Sequence, residues 1–395
     1  MPRSKHELDH QLGLDYFMTV SAGVGGKLRV RVEDFIVDEI AFPIPPRIEG
    51  EYTHFTLEKR NWETAGAIRA IAASIGVSTK RFSYAAIKDK RALTTQRVSA
   101  WRILEERLSR VRIDGIRVYD FGRSDFRLNT GNLKGNRFRI LIRECNVAGE
   151  DLVSVLRGTS AQIETQGVPN YFGYQRFGTI RPNSHIVGRE LVKGNLEEAV
   201  LQYLGRPFAT EPEDSREARQ FLDATRDYQN ALSIYPKRLT YERILIAALT
   251  KNPSDYAGAL RRLPRGLRRL LVHAYQAYIF NRILSKTLET ESEITSAFIP
   301  VIGYRSTYSD NSLGEVEKAI LDEEGISFRD FWINSMPELS SEGNKRQAFI
   351  QVRPKFQVED ELGKSSQVLV DFILPTGSYA TVVLREFMKC DPLNY

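Results

Sequence analysis

Apolar and polar residues alternate with a period of two along the first part of the chain, a pattern typical of strands that bury one face. Lys27 to Ile40 predicts one long strand with an irregularity at Glu33 and Asp34, and Tyr52 to Glu58 predicts a second. Further strands are expected at about 82–88, 97–103, 116–121 and 137–142. Between them, Thr64 to Ile75 carries apolar residues at helical spacing, which predicts one helix packed on a sheet.

The pattern changes in the middle of the chain. Residues from about 185 to 290 have helical spacing, interrupted by prolines, and strand patterns return at 347–353 and 367–373 after a polar loop from Ser335 to Arg346. A last helix is expected to begin near Ser378, a good N-cap residue, and to end at Met388. This order predicts an α+β protein with a mainly antiparallel sheet, into which a helical segment is inserted.

Composition narrows the class of protein. A chain of 395 residues is long enough for two or three domains, and its formal net charge of +6 favours a polyanionic partner without selecting one. Cys145 and Cys390 are too few for a disulfide framework or a cysteine-based zinc site, and His6 and His10 have no third metal ligand in view. No apolar run approaches the ~18 residues that cross a membrane, so we expect a cytoplasmic protein with no membrane partner.

A cluster of charges stands between two of the predicted strands. Asp89 lies between Lys88 and Lys90, and Arg91 follows directly. Functional residues tend to lie in connecting segments held by strands, and nearby positive charge favours the ionised form of a carboxylate. Such a carboxylate can serve as a nucleophile or as a base. A charged turn that faces water is the alternative, and the four charges alone favour that alternative.

The segment around these charges, Ala85 to Gln96, resembles the catalytic motif of TruD-type pseudouridine synthases, although Ala86 stands where that family commonly has glycine. Four further segments resemble signatures of the same family in the same chain order: Arg31–Glu39, Lys134–Phe138, Val168–Gly178 and Leu374–Glu386. One match alone would carry a risk of chance agreement. Five matches in order, from residue 29 to residue 386, cover nearly the whole chain.

The resemblance implies a fold and a reaction. The expected catalytic pseudouridine-synthase domain is discontinuous, formed by 1–167 and 346–395, and a largely helical, TruD-specific domain is inserted at 168–345. The expected activity is isomerisation of uridine to pseudouridine in tRNA, with the uridine at position 13 as the family's usual prokaryotic target. Such an enzyme flips the base out of its stack and needs no cofactor and no metal. The oligomeric state is left open.

The resemblance also assigns roles at the site. Asp89 is the expected catalytic residue, and it would attack the base, attack the ribose or remove a ribose proton. Arg29 would pair with Asp89 at a position where the family usually has lysine, and Lys27 is the second choice for this pairing. Lys88 is expected to support the negative charge of Asp89, and Phe138 to stack on the flipped uracil.

Several further residues are expected around that centre. Asn136 would hydrogen-bond base or sugar, Phe35 and Tyr379 would line the substrate pocket, Thr94 and Gln96 would brace the loop of Asp89, and Gln175 and Arg176 would face RNA. Each has a structural alternative, which is core packing for the aromatic residues and a turn for the asparagine.

Two questions stay open at the level of sequence. The basic cluster Arg261, Arg262, Arg265, Arg268 and Arg269 is compatible with a phosphate-contacting stripe or with a solvated helix face. A protein that binds RNA without catalysis, or a glycosidic hydrolase with Asp89 as nucleophile, are the alternative functions. The motif around Asp89 argues against the first, and the absence of a second carboxylate at a readable distance argues against the second.

Overall fold

The computed structural model describes residues 1–43, 49–290, 297–359 and 366–395. They form two compact units. The sheet unit comprises Met18–Val168 and Ile350–Tyr395, and the helical unit comprises Met1–Phe17 and Pro169–Phe349. The two internal junctions lie close to the predicted ones at 167/168 and 345/346. Residues 1–17, which were predicted to belong with the catalytic domain, lie instead in the helical unit.

Hydrogen bonds to one long helix explain where the first 17 residues lie. Asn281 donates from Nδ2 to the Leu12 carbonyl at 3.0 Å, and Ser285 donates from Oγ to the Gly13 carbonyl at 2.8 Å. The Ser285 hydroxyl also accepts from the Asp15 backbone N–H at 3.1 Å. These partners are more than 260 residues away in sequence, so no local pattern in the first 17 residues predicts them.

The protein has α+β architecture. The strands are β1 (Phe35–Ala41), β2 (Tyr52–Arg60), β3 (Phe82–Tyr84), β4 (Leu93–Trp101), β5 (Ile116–Ser124), β6 (Leu133–Ile142), β7 (Val168–Pro169), β8 (Phe298–Val301), β9 (Asn344–Gln347), β10 (Phe349–Ile350), β11 (Lys355–Glu359) and β12 (Gln367–Pro375). The helices are α1 (Glu7–Gln11), α2 (Thr64–Ser74), α3 (Glu105–Leu108), α4 (Gly149–Gln166), α5 (Ser184–Lys193), α6 (Leu196–Leu204), α7 (Glu213–Thr225), α8 (Tyr228–Ile234), α9 (Thr240–Lys251), α10 (Tyr256–Arg261), α11 (Arg265–Thr290), α12 (Ser312–Glu324) and α13 (Ala380–Met388). None of these helices is both long and apolar enough to cross a membrane.

The sheet unit is organised around an eight-stranded sheet in the order β11-β12-β6-β1-β4-β2-β5, with β3 paired to β4. Neighbouring strands are antiparallel except β1 and β4, which are parallel. Alternation along β2 places Phe55 and Leu57 in a core that also contains Ile68 and Ile71 of α2. The mainly antiparallel sheet that the sequence predicted is therefore confirmed.

The predicted long strand from Lys27 to Ile40 is wrong in its first half. Lys27 forms only an isolated bridge, residues Val32–Asp34 form a 3-10 turn, and β1 begins afterwards. Asp34 holds this break because its carboxylate accepts hydrogen bonds from the Arg31 backbone N–H at 2.7 Å and from the Arg143 guanidinium at 2.7 and 2.9 Å. Glu33 and Asp34, which were predicted to be an irregularity within a strand, therefore lie directly before the start of the strand.

Several other predicted boundaries also differ from the structure. The strand expected at 82–88 ends at Tyr84, since the following residues form the loop that carries Asp89. The final helix begins at Ala380 with Tyr379 at its N-cap, one residue later than the Ser378 cap expected from propensity. All nine residues of this helix are buried, so tertiary packing decides where it begins.

β6 contains a local irregularity beside the predicted site. Ile40 of β1 pairs with Gly135 and Ala41 pairs with Leu133, which leaves Lys134 as an extra residue in β6. Such bulges re-aim side chains. Next to it, a Cβ on Gly135 would lie 2.2 Å from the Leu374 carbonyl oxygen of β12, so this position requires glycine for close backbone approach.

We therefore expect Gly135→Ala to lower the free energy of unfolding by about 1–3 kcal/mol, as overpacking of a buried contact does. Gly122→Ala on β5 is the matched control, because a Cβ there meets no atom within 4 Å. Urea unfolding of both variants measures the difference. Equal stability of the two variants would show that β6 and β12 do not approach each other as described.

Candidate active site

The loop between β3 and β4 carries Asp89, and side chains from neighbouring elements bind its backbone. Gln96 of β4 donates from Nε2 to the Ala86 carbonyl at 3.0 Å. Thr64, the first residue of α2, accepts from the Lys88 backbone N–H at 3.0 Å, and its hydroxyl lies 3.2 Å from Gln96 Oε1. The predicted bracing role fits Gln96, and the loop is held by two elements that enclose it.

A buried lysine completes this support. Lys59, the penultimate residue of β2, donates from Nζ to the carbonyls of Lys88 at 3.3 Å and Asp89 at 2.6 Å. Burial lowers the pKa of Lys59 to about 8, and the nearby Asp89 carboxylate opposes that shift. No role was predicted for Lys59 from the sequence. The sequence does contain a sign of its burial. Lys59 follows Phe55 and Leu57 at two-residue spacing, so its side chain points to the same inward face of the strand.

Lys88 points away from solvent, into the protein. Its Nζ lies 2.8 Å from Glu39 Oε2 and donates to Asn136 Oδ1 at 2.6 Å. Glu39 is also buried, and its other carboxylate oxygen accepts from the Arg97 backbone N–H at 3.1 Å. Lys88 was expected to support the charge of Asp89, but it is paired with Glu39. Glu39 also had no predicted role, although it is the last residue of the matched segment Arg31–Glu39.

The next side chain, Asp89, points outward and meets a cation. Its Oδ1 lies 3.5 Å from Arg29 Nη2, and the aspartate side chain is 42% exposed whereas that of the arginine is 13% exposed. The Arg29 guanidinium lies over the Phe35 ring, 4.0 Å from its centroid. Burial lowers the pKa of Arg29, and the Asp89 carboxylate acts in the opposite direction. Lys27 pairs with Glu144 at 2.6 Å, so Arg29 and not Lys27 forms the ion pair with Asp89.

The predicted aromatic residues continue inward from Arg29. Phe35 meets Phe138 edge to face at 6.3 Å, and Phe138 stacks on Phe372 at 5.6 Å. Phe138 is only 6% exposed, so both Phe35 and Phe138 are packed in the core of the sheet unit. Contacts thus connect Asp89 through Arg29 and Phe35 to Phe138. Tyr379, which was expected to line the pocket, is half-buried at the start of α13.

Three further predicted site residues are Thr94, Gln175 and Arg176. Thr94 is buried on β4, where it pairs with Val37 of β1 on one side and with Lys59 of β2 on the other. Its hydroxyl has no hydrogen-bond partner within the described ranges. Its bracing role is therefore not seen. Gln175 and Arg176 lie in the helical unit, in the 3-10 turn Tyr174–Arg176.

The longest signature, Val168–Gly178, supplies packing contacts in the helical unit. Arg346 donates to the Asn170 carbonyl at 2.9 Å and to its side-chain Oδ1 at 2.7 Å, and the same guanidinium lies 4.1 Å from the Phe172 ring centroid. The Tyr171 hydroxyl lies 2.8 Å from that of Ser285 on α11. Within the helical unit, these contacts fasten the segment to β9 and α11.

The basic cluster at 261–269 is not a uniform stripe. Arg268 is buried and forms an ion pair with Glu338, and Arg261 donates to the Ser335 carbonyl at 2.7 Å. Arg265 donates to the Glu338 carbonyl at 3.3 Å. These contacts hold α10 and α11 to the segment that follows α12, so part of the cluster stabilises the helical unit.

A groove of about 930 Å³ lies in the sheet unit, where β12 extends beyond its partner β11. The end of β12 that has no β11 partner forms part of its lining. Four cationic and two acidic side chains also line it: Lys134, Arg137, Arg353, Lys355, Glu164 and Asp371. Arg137 is neutralised by two hydrogen bonds to Asp371, at 3.0 and 2.6 Å. Lys134, Arg353 and Lys355 remain as the cations without an ion-pair partner among the described residues.

No group of three or more His, Cys, Asp or Glu side chains in the described ranges is arranged to hold a metal ion. His10, considered above as a metal ligand, lies 2.6 Å from Asp15 Oδ1 and 3.0 Å from the Ser4 carbonyl. Its two ring nitrogens thus fasten the N-terminal segment.

The position of Lys59 generates a pH prediction. Its folded pKa of about 8 is below the ordinary value of 10.5, so between these pH values the unfolded chain binds more protons. The buried charge therefore costs stability below pH 8, and we expect the free energy of unfolding to rise from pH 8 to 10.5.

Asp89→Asn should lower the pKa of Lys59 further, because it removes the opposing charge. Titration of ¹³Cε-labelled lysine by NMR measures this pKa, and Asp151→Asn on the exposed start of α4 is the control. A Lys59 pKa that is unchanged in Asp89→Asn would contradict their proximity.

Comparison with known proteins gives a consistent result. A family model described as tRNA pseudouridine synthase D (TruD) matches residues 11–298 and 290–387. The probable tRNA pseudouridine synthase D of Methanosarcina barkeri is 41% identical over 434 residues, covering 98% of this chain and 99% of the relative. The protein of the same name from Methanosarcina acetivorans is 40% identical over 439 residues, covering 100% of this chain and 99% of the relative.

A solved structure agrees with these matches. The crystal structure described as tRNA pseudouridine synthase D of Methanosarcina mazei has a TM-score of 0.82 to this chain and 38% sequence identity, and the match covers 98% of each chain. Sequence and fold therefore agree over almost the whole length. The chain belongs to the TruD family of tRNA pseudouridine synthases.

Proposed function

We propose that Asp89 is the catalytic residue of this tRNA pseudouridine synthase, and that the enzyme isomerises the uridine at position 13. The observation that carries the proposal is a partly exposed carboxylate on a braced loop, 3.5 Å from a largely buried guanidinium. Lys88, the residue before it, is turned inward by Glu39 and Asn136. Asp89 is thus the carboxylate of this loop that a substrate can reach.

The reaction conserves every atom of the nucleotide. The bond between N1 and C1′ breaks, the base turns, a bond forms between C5 and C1′, a proton leaves C5 and N1 takes one up. A carboxylate can act by attack on the base, by attack on the ribose or as a base towards a ribose proton. All three roles need an accessible oxygen of Asp89. Arg29 orients that carboxylate. The positive charge of Arg29 also stabilises negative charge on or near Asp89 during the reaction.

Two residues connected to Asp89 by contacts, Asn136 and Phe138, are suited to bind the flipped base. The Nδ2 group of Asn136 makes no hydrogen bond within the described part of the chain, since only its Oδ1 is engaged by Lys88. This amide can donate to a carbonyl of uracil or to a ribose oxygen. Stacking of the uracil on Phe138 requires movement of a neighbouring side chain, because that ring is almost fully covered in the chain without RNA.

The groove beside β12 is suited to the RNA backbone. Lys134 is presented by the bulge in β6, two residues before Asn136, and Arg353 and Lys355 add two more cations. Phosphate contacts of this kind supply most of the affinity for a nucleic acid and carry no sequence information. We infer that this groove binds phosphates of the tRNA strand that enters the site.

The activity is tested with tRNA that carries labelled uridine, in buffer with EDTA and no added cofactor. Formation of pseudouridine at position 13 supports the proposal. RNA that is bound but unchanged would indicate a binding protein, and release of free uracil would indicate a glycosidic hydrolase. Mapping of the modified position tests the choice of uridine separately from the reaction.

Asp89→Asn should lower turnover by about a thousandfold or more, because an amide is a poor nucleophile and a poor base. The affinity for tRNA should stay within about threefold, since phosphate contacts dominate binding. Single-turnover rates and filter binding measure the two quantities, and Asp151→Asn serves as a matched exposed change. Turnover above a tenth of the wild-type rate in Asp89→Asn would remove Asp89 from this role.

Replacement of Lys134, Arg353 and Lys355 by alanine together should weaken tRNA binding and flatten its dependence on salt. Three lost phosphate contacts lower the slope of log K against log salt concentration by about two to three. The control replaces three exposed cations outside the groove: Lys80, Arg110 and Lys251. An equal loss of slope in both variants would mean that the groove contributes only to the overall charge.

A further inference from the structure

The braced loop also presents an apolar side chain to solvent. Ile87 is 71% exposed, although it lies between Ala86, whose carbonyl is bound by Gln96, and Lys88, whose backbone is bound by Thr64 and Lys59. Scattered exposed apolar residues are ordinary on protein surfaces. This one differs because the backbone on both sides of it is fixed, so its exposure follows from the architecture of the loop.

Ile87 is exposed beside the outward-pointing Asp89. The residue between them, Lys88, points inward to Glu39, while residues 87 and 89 are both exposed. Lys90 and Arg91, which follow, are exposed too. The accessible surface of the loop therefore combines one apolar side chain, one carboxylate and two cations within five consecutive positions. A partner that covers this surface must offer negative charge and an apolar contact together.

RNA around an extruded nucleotide offers that combination. Removal of a base from a helical stack leaves a gap between its neighbours. Isoleucine, leucine, methionine and phenylalanine side chains are known to insert as wedges between the bases of a duplex. We propose that Ile87 is the wedge of this enzyme, occupying the space that the target uridine vacates while Asp89 contacts the extruded nucleotide. This inference rests on the proposed function, because it needs Asp89 to mark the reacting centre. Isoleucine suits the task, since its β-branched side chain is stiff about χ1.

The test measures extrusion directly. A tRNA with 2-aminopurine beside the uridine that the enzyme isomerises, mapped in the assay above, is bound to the Asp89→Asn protein, so that no product forms. Fluorescence should rise on binding, because 2-aminopurine loses a stacking neighbour. The double variant with Ile87→Ala should lose most of this rise, while its affinity for tRNA stays within about threefold, because phosphate contacts dominate that affinity.

Turnover gives a second readout in proteins with Asp89 intact. Ile87→Ala should lower kcat/KM by about tenfold, as expected for lost burial of a branched side chain. Ile87→Leu should restore at least half of the wild-type value, since it keeps the apolar volume. Leu104→Ala is the control, because Leu104 is 57% exposed at the start of α3, away from the loop. None of these changes should lower the melting temperature, since both side chains face solvent.

The outcomes separate this inference from the assignment of Asp89. Wild-type fluorescence and turnover with Ile87→Ala would overturn the wedge and leave Asp89 untouched. Equal loss in Ile87→Ala and Ile87→Leu would also overturn it, since a wedge depends on apolar volume. Turnover that survives in Asp89→Asn would instead overturn the catalytic assignment. A loss of tRNA affinity without a change in the fluorescence of the bound state would make Ile87 a simple contact residue.

Discussion

The position of Asp89 depends on the hydrogen bonds that hold its loop from the inside. Lys59, Thr64 and Gln96 bind the backbone of residues 86–89, and each comes from a different element of the sheet unit. Buried backbone groups that lose such partners cost about 1–3 kcal/mol each, so the loop has few alternative conformations of similar energy. This support fixes which side chains point inward and which meet solvent.

Two charged side chains of the loop form different ion pairs, one inside the protein and one near its surface. Lys88 and Glu39 form a buried pair, which is stable only because both partners are present and further hydrogen bonds surround them. Asp89 and Arg29 lie at the boundary with solvent and are separated by more than a normal hydrogen-bond distance. The buried pair supports the loop from the inside, whereas the Asp89 side chain remains 42% exposed.

The sequence predicted much of this arrangement, and the reasons for its failures are specific. Alternation predicted β2 and the mainly antiparallel sheet, and the family motif led to the pairing of Arg29 with Asp89. Alternation indicated an irregularity at Glu33 and Asp34 but could not predict that the strand begins only after it, because Arg143, more than 100 residues away, binds the Asp34 carboxylate.

Long-range contacts explain the other differences as well. Lys59 lies just beyond the strand predicted at Tyr52 to Glu58, yet its phase with Phe55 places it beneath the loop. Lys88 and Lys90 flank Asp89 in the sequence, and contacts with Glu39 and Asn136, from strands β1 and β6, draw Lys88 inward. A motif therefore selects candidate residues, whereas the packing of distant strands decides the direction of each side chain.

The most direct measurement of the central claim is a structure of the Asp89→Asn variant bound to tRNA. We expect the target uridine to be extruded from its stack, with a reacting atom of the ribose or base within about 3.5 Å of the residue 89 side chain. We also expect the Arg29 guanidinium to remain beside that side chain. A uridine that is bound in another cavity, with residue 89 facing solvent, would contradict the assignment of this loop as the catalytic centre.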